Sequence, residues 1–180
     1  MLSVDRFSEN FTPHPIPQVL KDLLEFQNDS NQWDREGFEH SCVTQKDALK
    51  YHVKEEALSQ FLGFGHEAEG SLYALWLYQG NSLEDAPVVS LDSDAEGSTV
   101  MADMILEFLP LVARNEEPEF GKYSQIPDAE LEPAPRNQEV RAWVEQKDRS
   151  HVALHPNEGT KRLQISSRTL TSLIKKKKGM

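Results

Sequence analysis

The carboxylates of one short segment come closest to a known ligand pattern. The segment reads Asp92-Ser93-Asp94-Ala95-Glu96-Gly97, and Asp103 stands at the twelfth position counted from Asp92. A calcium loop of the helix-loop-helix kind uses oxygens at positions 1, 3, 5 and 12 and glycine at position 6. Asp92, Asp94, Glu96 and Asp103 fill the oxygen positions, so a cation site in this loop is one hypothesis.

Three features of the same segment favour a different structure. Residues 87–91 predict a strand where the calcium motif needs a helix, and Glu96 stands where Asp or Asn is usual. The carboxylate of Asp103 also has a shorter reach than the usual bidentate Glu. We therefore predict an acidic turn between two strands and no bound metal.

Histidine and cysteine give only weak signs of catalysis. His40 and Cys42 lie two residues apart on a strand predicted over residues 36–44, so their side chains would share one face of that strand. Cys42 could then act as a nucleophile and His40 as its base. A lone Cys is more often a small buried apolar residue. His151 and His155 lack the Glu of a metalloprotease motif and read as surface residues. We predict no catalytic residue.

The glycine-rich segment over residues 63–70 does not have the spacing of a dinucleotide loop. It precedes a predicted strand, whereas a phosphate-binding loop opens a helix. Glu67 and Glu69 would also repel a phosphate. We expect no nucleotide and no other cofactor.

Apolar patterns predict the elements that hold these segments. The first dozen residues look like a loose arm. A helix is predicted over residues 16–26, with Pro17 in its first turn. A short helical stripe of Leu58, Phe61 and Leu62 ends at Gly63, and Gly63, Gly65 and Gly70 mark a loop.

Residues 71–78 are apolar on both faces, which is typical of a central strand, with Trp76, Tyr73 and Tyr78 as its core and face residues. Further strands are predicted over residues 87–91 and 98–101, and an amphipathic helix follows from Met104 to Leu109. Pro110 ends or kinks that helix. The order indicates an α+β fold with a mostly antiparallel sheet.

The charge divides the chain into an acidic body and a basic end. Residues 1–140 carry 9 Lys+Arg and 27 Asp+Glu, a net charge of −18, and residues 141–180 carry 10 and 3, a net charge of +7. An acidic body repels phosphate backbones, so we expect no nucleic-acid binding by the main domain. It would attract a basic protein partner.

Segment composition also bears on the cellular compartment. We see no secretion signal and no apolar stretch long enough to span a membrane. The single Cys excludes a disulfide framework within the chain. Together these features predict a cytoplasmic protein.

The run from Gly65 to Val112 resembles the SUKH superfamily, which joins yeast cell-wall-synthesis regulators of the SMI/KNR type to bacterial toxin-immunity proteins. The resemblance rests on the order of four segments: Gly70 to Leu77, Ala86 to Leu91, the turn Asp94-Ala95-Glu96-Gly97, and the helix from Glu107 to Ala113. It implies a twisted, mainly antiparallel sheet flanked by helices, no catalysis, and in bacteria the neutralisation of a partner toxin, commonly a nuclease.

These expectations give a single SMI/KNR-like domain over residues 13–118, an acidic Pro-containing linker over 119–136 and a basic helical C-terminal extension over 137–180. The acidic side chains beside the central strands are the expected contact surface for a cognate toxin. They are Glu67, Glu69, Glu84, Asp85, Asp92, Asp94 and Glu96. Two alternatives stay open: a regulatory scaffold of the SMI/KNR type, and a cation-binding or hydrolytic protein using the 92–103 loop. The basic end could fold back on the acidic body or mediate homo-oligomer formation.

Overall fold

The computed structural model describes residues 1–29, 38–67, 70–80, 82–93, 98–114, 140, 142–147, 170 and 172–174. It shows an α+β fold built on a five-stranded antiparallel sheet with strands in the order β1 to β5. The strands are β1 (Glu39–His40), β2 (Phe61–His66), β3 (Leu72–Trp76), β4 (Val88–Leu91) and β5 (Thr99–Ala102). Each strand pairs with the next along the chain, so the predicted mostly antiparallel sheet is confirmed.

The N-terminal residues are part of the folded core. Helix α1 (Val4–Ser8) begins at Ser3, whose hydroxyl accepts a hydrogen bond from the Arg6 backbone N–H, and a 3-10 turn follows over Glu9–Phe11. The Phe7 and Phe11 side chains are fully buried. The two rings contact each other edge to face. The prediction of a loose arm is therefore wrong.

Helix α2 (Gln18–Asp29) confirms the helix predicted over residues 16–26, with later bounds. Pro17 precedes its first residue, and the Pro17 carbonyl accepts hydrogen bonds from the N–H groups of Leu20 and Lys21. Leu20, Leu23 and Leu24 are fully buried, as their helical spacing predicts.

The sheet separates two apolar cores. In the first core, side chains from one sheet face pack against α1, α2 and helix α3 (Ile105–Arg114). In the second core, the other face packs against two 3-10 helices, Gln45–Tyr51 and Glu55–Gln60. Both faces of β3 are covered, and all five of its residues are buried. This confirms the prediction of a central strand.

Strand β2 overturns two predictions made from residues 58–65. Phe61 and Leu62 belong to a strand and not to a helical stripe, and Gly63 and Gly65 lie inside that strand and not in a loop. Of the three glycines, Gly70 alone takes the turn position, with a φ of +95° that favours glycine. The strand also contains a bulge, because Gly63 pairs with Ala74 while Gly65 pairs with Tyr73, which leaves Phe64 as the extra residue.

Helix α3 runs through Pro110 and reaches Arg114. Pro110 therefore does not end the helix. Ile105, Phe108 and Leu109 are buried in the first core, in agreement with the predicted amphipathic pattern.

The described C-terminal residues pack on both faces of the sheet. Val140 and residues 142–147 are helical, and Val140 and Val144 are buried in the first core. Leu170 and Ile174 are buried in the second core. The predicted linker over residues 119–136 lies outside the described residues.

Ionic and aromatic contacts fix the 142–147 helix to α2. The Trp143 ring stacks on Phe26 with centroids 5.3 Å apart, and the Lys147 ammonium lies 5.4 Å from the centre of the Trp143 ring. Lys147 also forms a salt bridge with Asp22. In this part of the chain the basic end folds back onto the acidic body.

Candidate functional site

Two of the acidic connections leave the sheet at the same end. His66 pairs with Leu72, and Leu72 pairs with Leu91, so the end of β2, the start of β3 and the end of β4 are neighbours. Glu67 and Asp92 follow directly on these strands, beside Gly70 and Ser93. We call Glu67, Gly70, Asp92 and Ser93 the turn end of the sheet.

The 3-10 helix Gln45–Tyr51 holds both turns of this end in place. The Tyr51 hydroxyl donates to the Gly70 carbonyl at 2.9 Å, and a ring nitrogen of the next residue, His52, lies 2.8 Å from the Ser93 carbonyl oxygen. His52 has a φ of +63°, which is unusual for a residue other than glycine. Consecutive residues of one helix end therefore contact two different acidic turns.

Hydrogen bonds also fix the Glu67 carboxylate and the Asp92 backbone. Glu67 Oε2 accepts a hydrogen bond from the Tyr73 hydroxyl at 3.1 Å, and the Asp92 backbone N–H donates to Ser98 Oγ at 3.0 Å. The side chains of Glu67 and Asp92 are both half-buried. Their positions are thus set by the sheet and its neighbours.

Glu84 and Asp85 lie at the opposite end of the sheet. They belong to the connection from β3 to β4, are exposed, and sit in a turn in which the Ser82 hydroxyl donates to Asp85 Oδ2 at 2.8 Å. The five residues of β3 span about 16 Å between the two ends. The seven residues nominated from sequence therefore do not form one cluster, and Glu69, Asp94 and Glu96 lie outside the described residues.

The strand pairing also separates Asp92 and Asp103, two of the four residues in the hypothetical cation site. Asp92 follows β4 at the turn end, whereas Asp103 follows β5, whose last residue Ala102 pairs with Val88 at the start of β4. Strand β4 precedes the motif where a calcium loop needs a helix, and strand β5 lies within it. Asp94 and Glu96 lie outside the described residues, and within the described ones no three His, Cys, Asp or Glu side chains could hold a metal ion.

His40 and Cys42 do not share a face as predicted. His40 is buried, while Cys42 is exposed and directs its Sγ to the Arg6 carbonyl at 3.8 Å. The regular alternation stops because β1 ends at His40 and Val43 turns into the second core. His151 and His155 lie outside the described residues.

His40 forms a buried polar unit with Gln27. The Gln27 amide nitrogen donates to the Phe38 carbonyl at 3.3 Å, so its Oε1 faces His40. That oxygen lies 2.6 Å from His40 Nδ1, which must therefore carry the proton. Among the described residues, His40 Nε2 has no hydrogen-bond partner, and the Phe7 and Phe38 rings meet the imidazole edge to face. Burial lowers the pKa of His40 to about 3.

We expect this buried imidazole to destabilise the protein in acid. Unfolded chains bind a proton at His40 below about pH 6.5, whereas the folded chain does not until about pH 3. The contribution to stability is complete above pH 6.5 and is lost as the pH falls toward 3. Between pH 7.5 and 5 the loss is about 2 kcal/mol.

The measurement is urea unfolding of the wild type and of His40→Gln at each pH. Between pH 7.5 and 5, the free energy of unfolding of the variant should fall by about 2 kcal/mol less than that of the wild type. His66, whose pKa burial also lowers, contributes with the same sign in both proteins and cancels in the comparison. Parallel pH profiles would contradict the prediction.

Sequence reasoning missed a pair formed by Ser41 and His66. The Ser41 hydroxyl and His66 Nδ1 lie 2.7 Å apart. The bulge at Phe64 makes this contact possible, because it changes the face on which His66 lies. Leu62 and Phe64 enter the first core. His66 instead contacts Tyr51 on the side of the second core. Without the bulge, alternation would put His66 on the same face as Leu62 and Phe64.

The Ser41–His66 pair has part of the geometry of a nucleophile and its base. Burial lowers the pKa of His66, although the negative charge of Asp47 partly raises it, so the imidazole is neutral at pH 7. A working triad needs a third group that orients the base. Asp47 instead accepts hydrogen bonds from Thr44 and Lys50, and His66 contacts no carboxylate within the ranges that the structure describes.

Comparisons of the chain with family models, with curated proteins and with solved structures find no match in any of the three. Among the described residues, no helix is long and apolar enough to cross a membrane.

Proposed function

We propose that this chain is a protein-binding module without catalytic activity, which receives a basic protein at the turn end of its sheet. The observation that carries the proposal is that two acidic connections leave the same end of the sheet, with Glu67 following β2 and Asp92 following β4 on either side of β3. Contacts from Tyr51 and His52 hold both turns in place before a partner arrives. A surface that is already ordered loses less conformational entropy on binding.

Charge supports a basic partner. The chain carries a formal net charge of −11, with its acidic excess in residues 1–140. Opposite charge accelerates diffusional encounter and disfavours partners of the same sign. Nucleases need positive surfaces to bind phosphate backbones, so a nuclease-type toxin is a partner of suitable charge.

The resemblance to the SUKH superfamily makes the proposal more specific. A member of its bacterial branch would be an immunity protein that neutralises a cognate toxin by occluding it. The α+β fold with an antiparallel sheet fits this resemblance at the level of fold class. Glu84 and Asp85 are left out of the proposed surface because they lie at the opposite end.

Two matched variants test the proposed surface. Glu67→Gln/Asp92→Asn removes two charges from the turn end, and Glu84→Gln/Asp85→Asn removes two from the opposite end while keeping the acceptor for Ser82. The wild-type chain first captures its partner from a lysate of the source organism. Association rates with that partner are then measured for all three chains.

We expect the turn-end variant to associate roughly tenfold more slowly at low salt and the opposite-end variant to match the wild type. Inhibition of a nuclease activity of the captured protein would establish the immunity role. Capture of an endogenous non-toxin partner with the same charge dependence would point to the regulatory role. Equal rates for both variants would show that the surface is wrongly placed.

A further inference from the structure

Residues 38–43 contain β1, the strand at one end of the strand order, and we call them the β1 segment. Two residue pairs join β1 to β2, with Glu39 opposite His66 and His40 opposite Gly65. Five residue pairs join β2 to β3. The β1 segment is therefore attached to the sheet by a much shorter ladder than the strands inside it.

Other contacts of the β1 segment run to different elements of the fold. Three of its backbone N–H groups donate to three separate acceptors. The acceptors are Gln27 Oε1 of α2 for His40 at 3.2 Å, the Phe64 carbonyl of β2 for Ser41 at 3.3 Å, and Asn10 Oδ1 of the first 3-10 turn for Val43 at 2.9 Å. Two of these acceptors are side-chain amides, so the position of the segment depends on side-chain packing as well as on strand pairing.

The His40 imidazole lies where the β1 segment meets α1 and α2. Its described contacts are the Gln27 amide and the Phe7 and Phe38 rings, none of which carries a charge. Nδ1 is already used by Gln27, and no acceptor among the described residues meets Nε2. A second proton on this ring would therefore be buried without a partner, which is strongly unfavourable.

No charged side chain in the described ranges offsets that cost, since burial alone lowers the pKa of His40. The charged residues within two positions of Phe7, Gln27 or His40 are all exposed: Asp5, Arg6, Glu9, Glu25, Asp29 and Glu39.

His66 is a second titratable group beside the β1 segment, through its contact with Ser41. It faces Tyr51, and burial lowers its pKa, with smaller opposing effects from the charges of Asp47 and Lys50. Protonation of His66 therefore acts in the same direction as protonation of His40.

We infer that the β1 segment is an acid-released latch, in which protonation of His40 detaches residues 38–43 from α1, α2 and β2 while β2, β3 and β4 stay folded. Segments with few strand pairs open at a lower free energy than the rest of a domain. The released state separates Ser41 from His66 and removes the pairing of β1 from the outer edge of β2. A buried histidine at such a junction converts acidification into a local change of structure.

Amide hydrogen exchange of the free full-length chain, followed by NMR in low urea at pH 7.5 and pH 5, tests the latch. The amides of Ser41 and Val43 report on the β1 segment. The amides of Trp76 and Leu77, which donate to carbonyls outside that segment, are the reference. We expect the two reporters to be less protected than the reference and less sensitive to urea, because a local opening exposes less surface.

The protection factors of both reporters should also fall by about thirtyfold between pH 7.5 and 5. In the released state His40 takes up a proton below about pH 6.5, whereas in the docked state it stays neutral until about pH 3. Docking is thus complete above pH 6.5 and weakens as the pH falls.

Two histidine variants identify the titrating group. His40→Gln keeps an amide for Gln27 and should remove most of the thirtyfold change. His14→Gln alters an exposed histidine and should leave the change as in the wild type.

Two results for the wild-type chain would overturn the inference, whether or not His40→Gln folds. Protection of Ser41 and Val43 that is equal at pH 7.5 and 5 would mean that their exchange does not expose His40. Protection and urea sensitivity equal to those of Trp76 and Leu77 would mean that the segment opens only when the whole chain unfolds. The experiment involves no partner, so its outcome is independent of the proposed function.

Discussion

We expect Phe7→Ala to lower the free energy of unfolding by about 3 to 5 kcal/mol. The Phe7 ring is fully buried, lies edge to face with Phe11 at a centroid distance of 5.4 Å, and meets the His40 imidazole at 5.0 Å. Truncation removes this apolar burial and leaves a cavity beside the buried His40 imidazole. Urea unfolding at pH 7.5, where His40 is neutral in both states, gives the measurement.

The adjacent residue Arg6 provides the control. Its side chain is exposed on the same helix α1, so Arg6→Ala should change stability by no more than about 0.5 kcal/mol. Similar losses for the two variants would mean that the ring does not contribute to the core. A large loss for Phe7→Ala alone would show that residues before the predicted boundary at 13 are needed for the stability of the fold.

This N-terminal helix was predictable in part. Ser3 has the residue type of an N-cap, and Phe7 and Phe11 have the spacing of one helical face. The helix is only five residues long, however, and such a short helix has little stability of its own. Its order comes from packing on α2 and β1, which no local pattern reveals.

The central strands were predictable because burial on both faces leaves a local signature. Apart from Ser71 and Ser90, residues 71–78 and 87–91 are apolar, and they contain β3 and β4. The hairpin into β5 followed from the acidic turn between two apolar runs. In these segments the residue pattern and the tertiary environment agree.

Strand β2 was not predictable, because Gly63 and Gly65 are closely approached by atoms of residues distant in the sequence. A Cβ on Gly63 would lie 2.6 Å from Val43 Cγ1. Strand propensity disfavours glycine, so the local pattern indicated a loop. The helical spacing of Leu58, Phe61 and Leu62 is accidental, since Leu58 belongs to a different element from the other two.

The candidate site was predictable as a set of acidic turns but not as an arrangement. Which turns share an end of the sheet depends on strand order and direction: Glu67 and Asp92 lie at one end, while Glu84 and Asp85 lie at the other. The Ser41–His66 contact depends on one bulge that changes the face of His66. Register of this kind is fixed by long-range pairing and has no signature in a single sequence.

Gly65→Ala should lower the free energy of unfolding by about 3 kcal/mol. The new Cβ would lie 2.4 Å from Phe38 Cε2 and 2.8 Å from the Glu39 carbonyl oxygen. Phe38 cannot move away freely, because its ring also packs against His40, Tyr73 and Phe108. The methyl group therefore pushes β1 away from β2. We also expect the Ser41–His66 hydrogen bond to break, which the chemical shifts of His66 would report.

A double-mutant cycle with Phe38→Leu identifies the cause. If the loss comes from the clash between the new methyl group and the Phe38 ring, the smaller leucine relieves it. The double variant should then be more stable than the sum of the single losses predicts, by about 1 to 2 kcal/mol. Additive losses would place the strain in the backbone contact with Glu39 instead. Either result would show that the close approach of neighbouring atoms requires glycine at position 65, whereas an unchanged stability of Gly65→Ala would contradict that requirement.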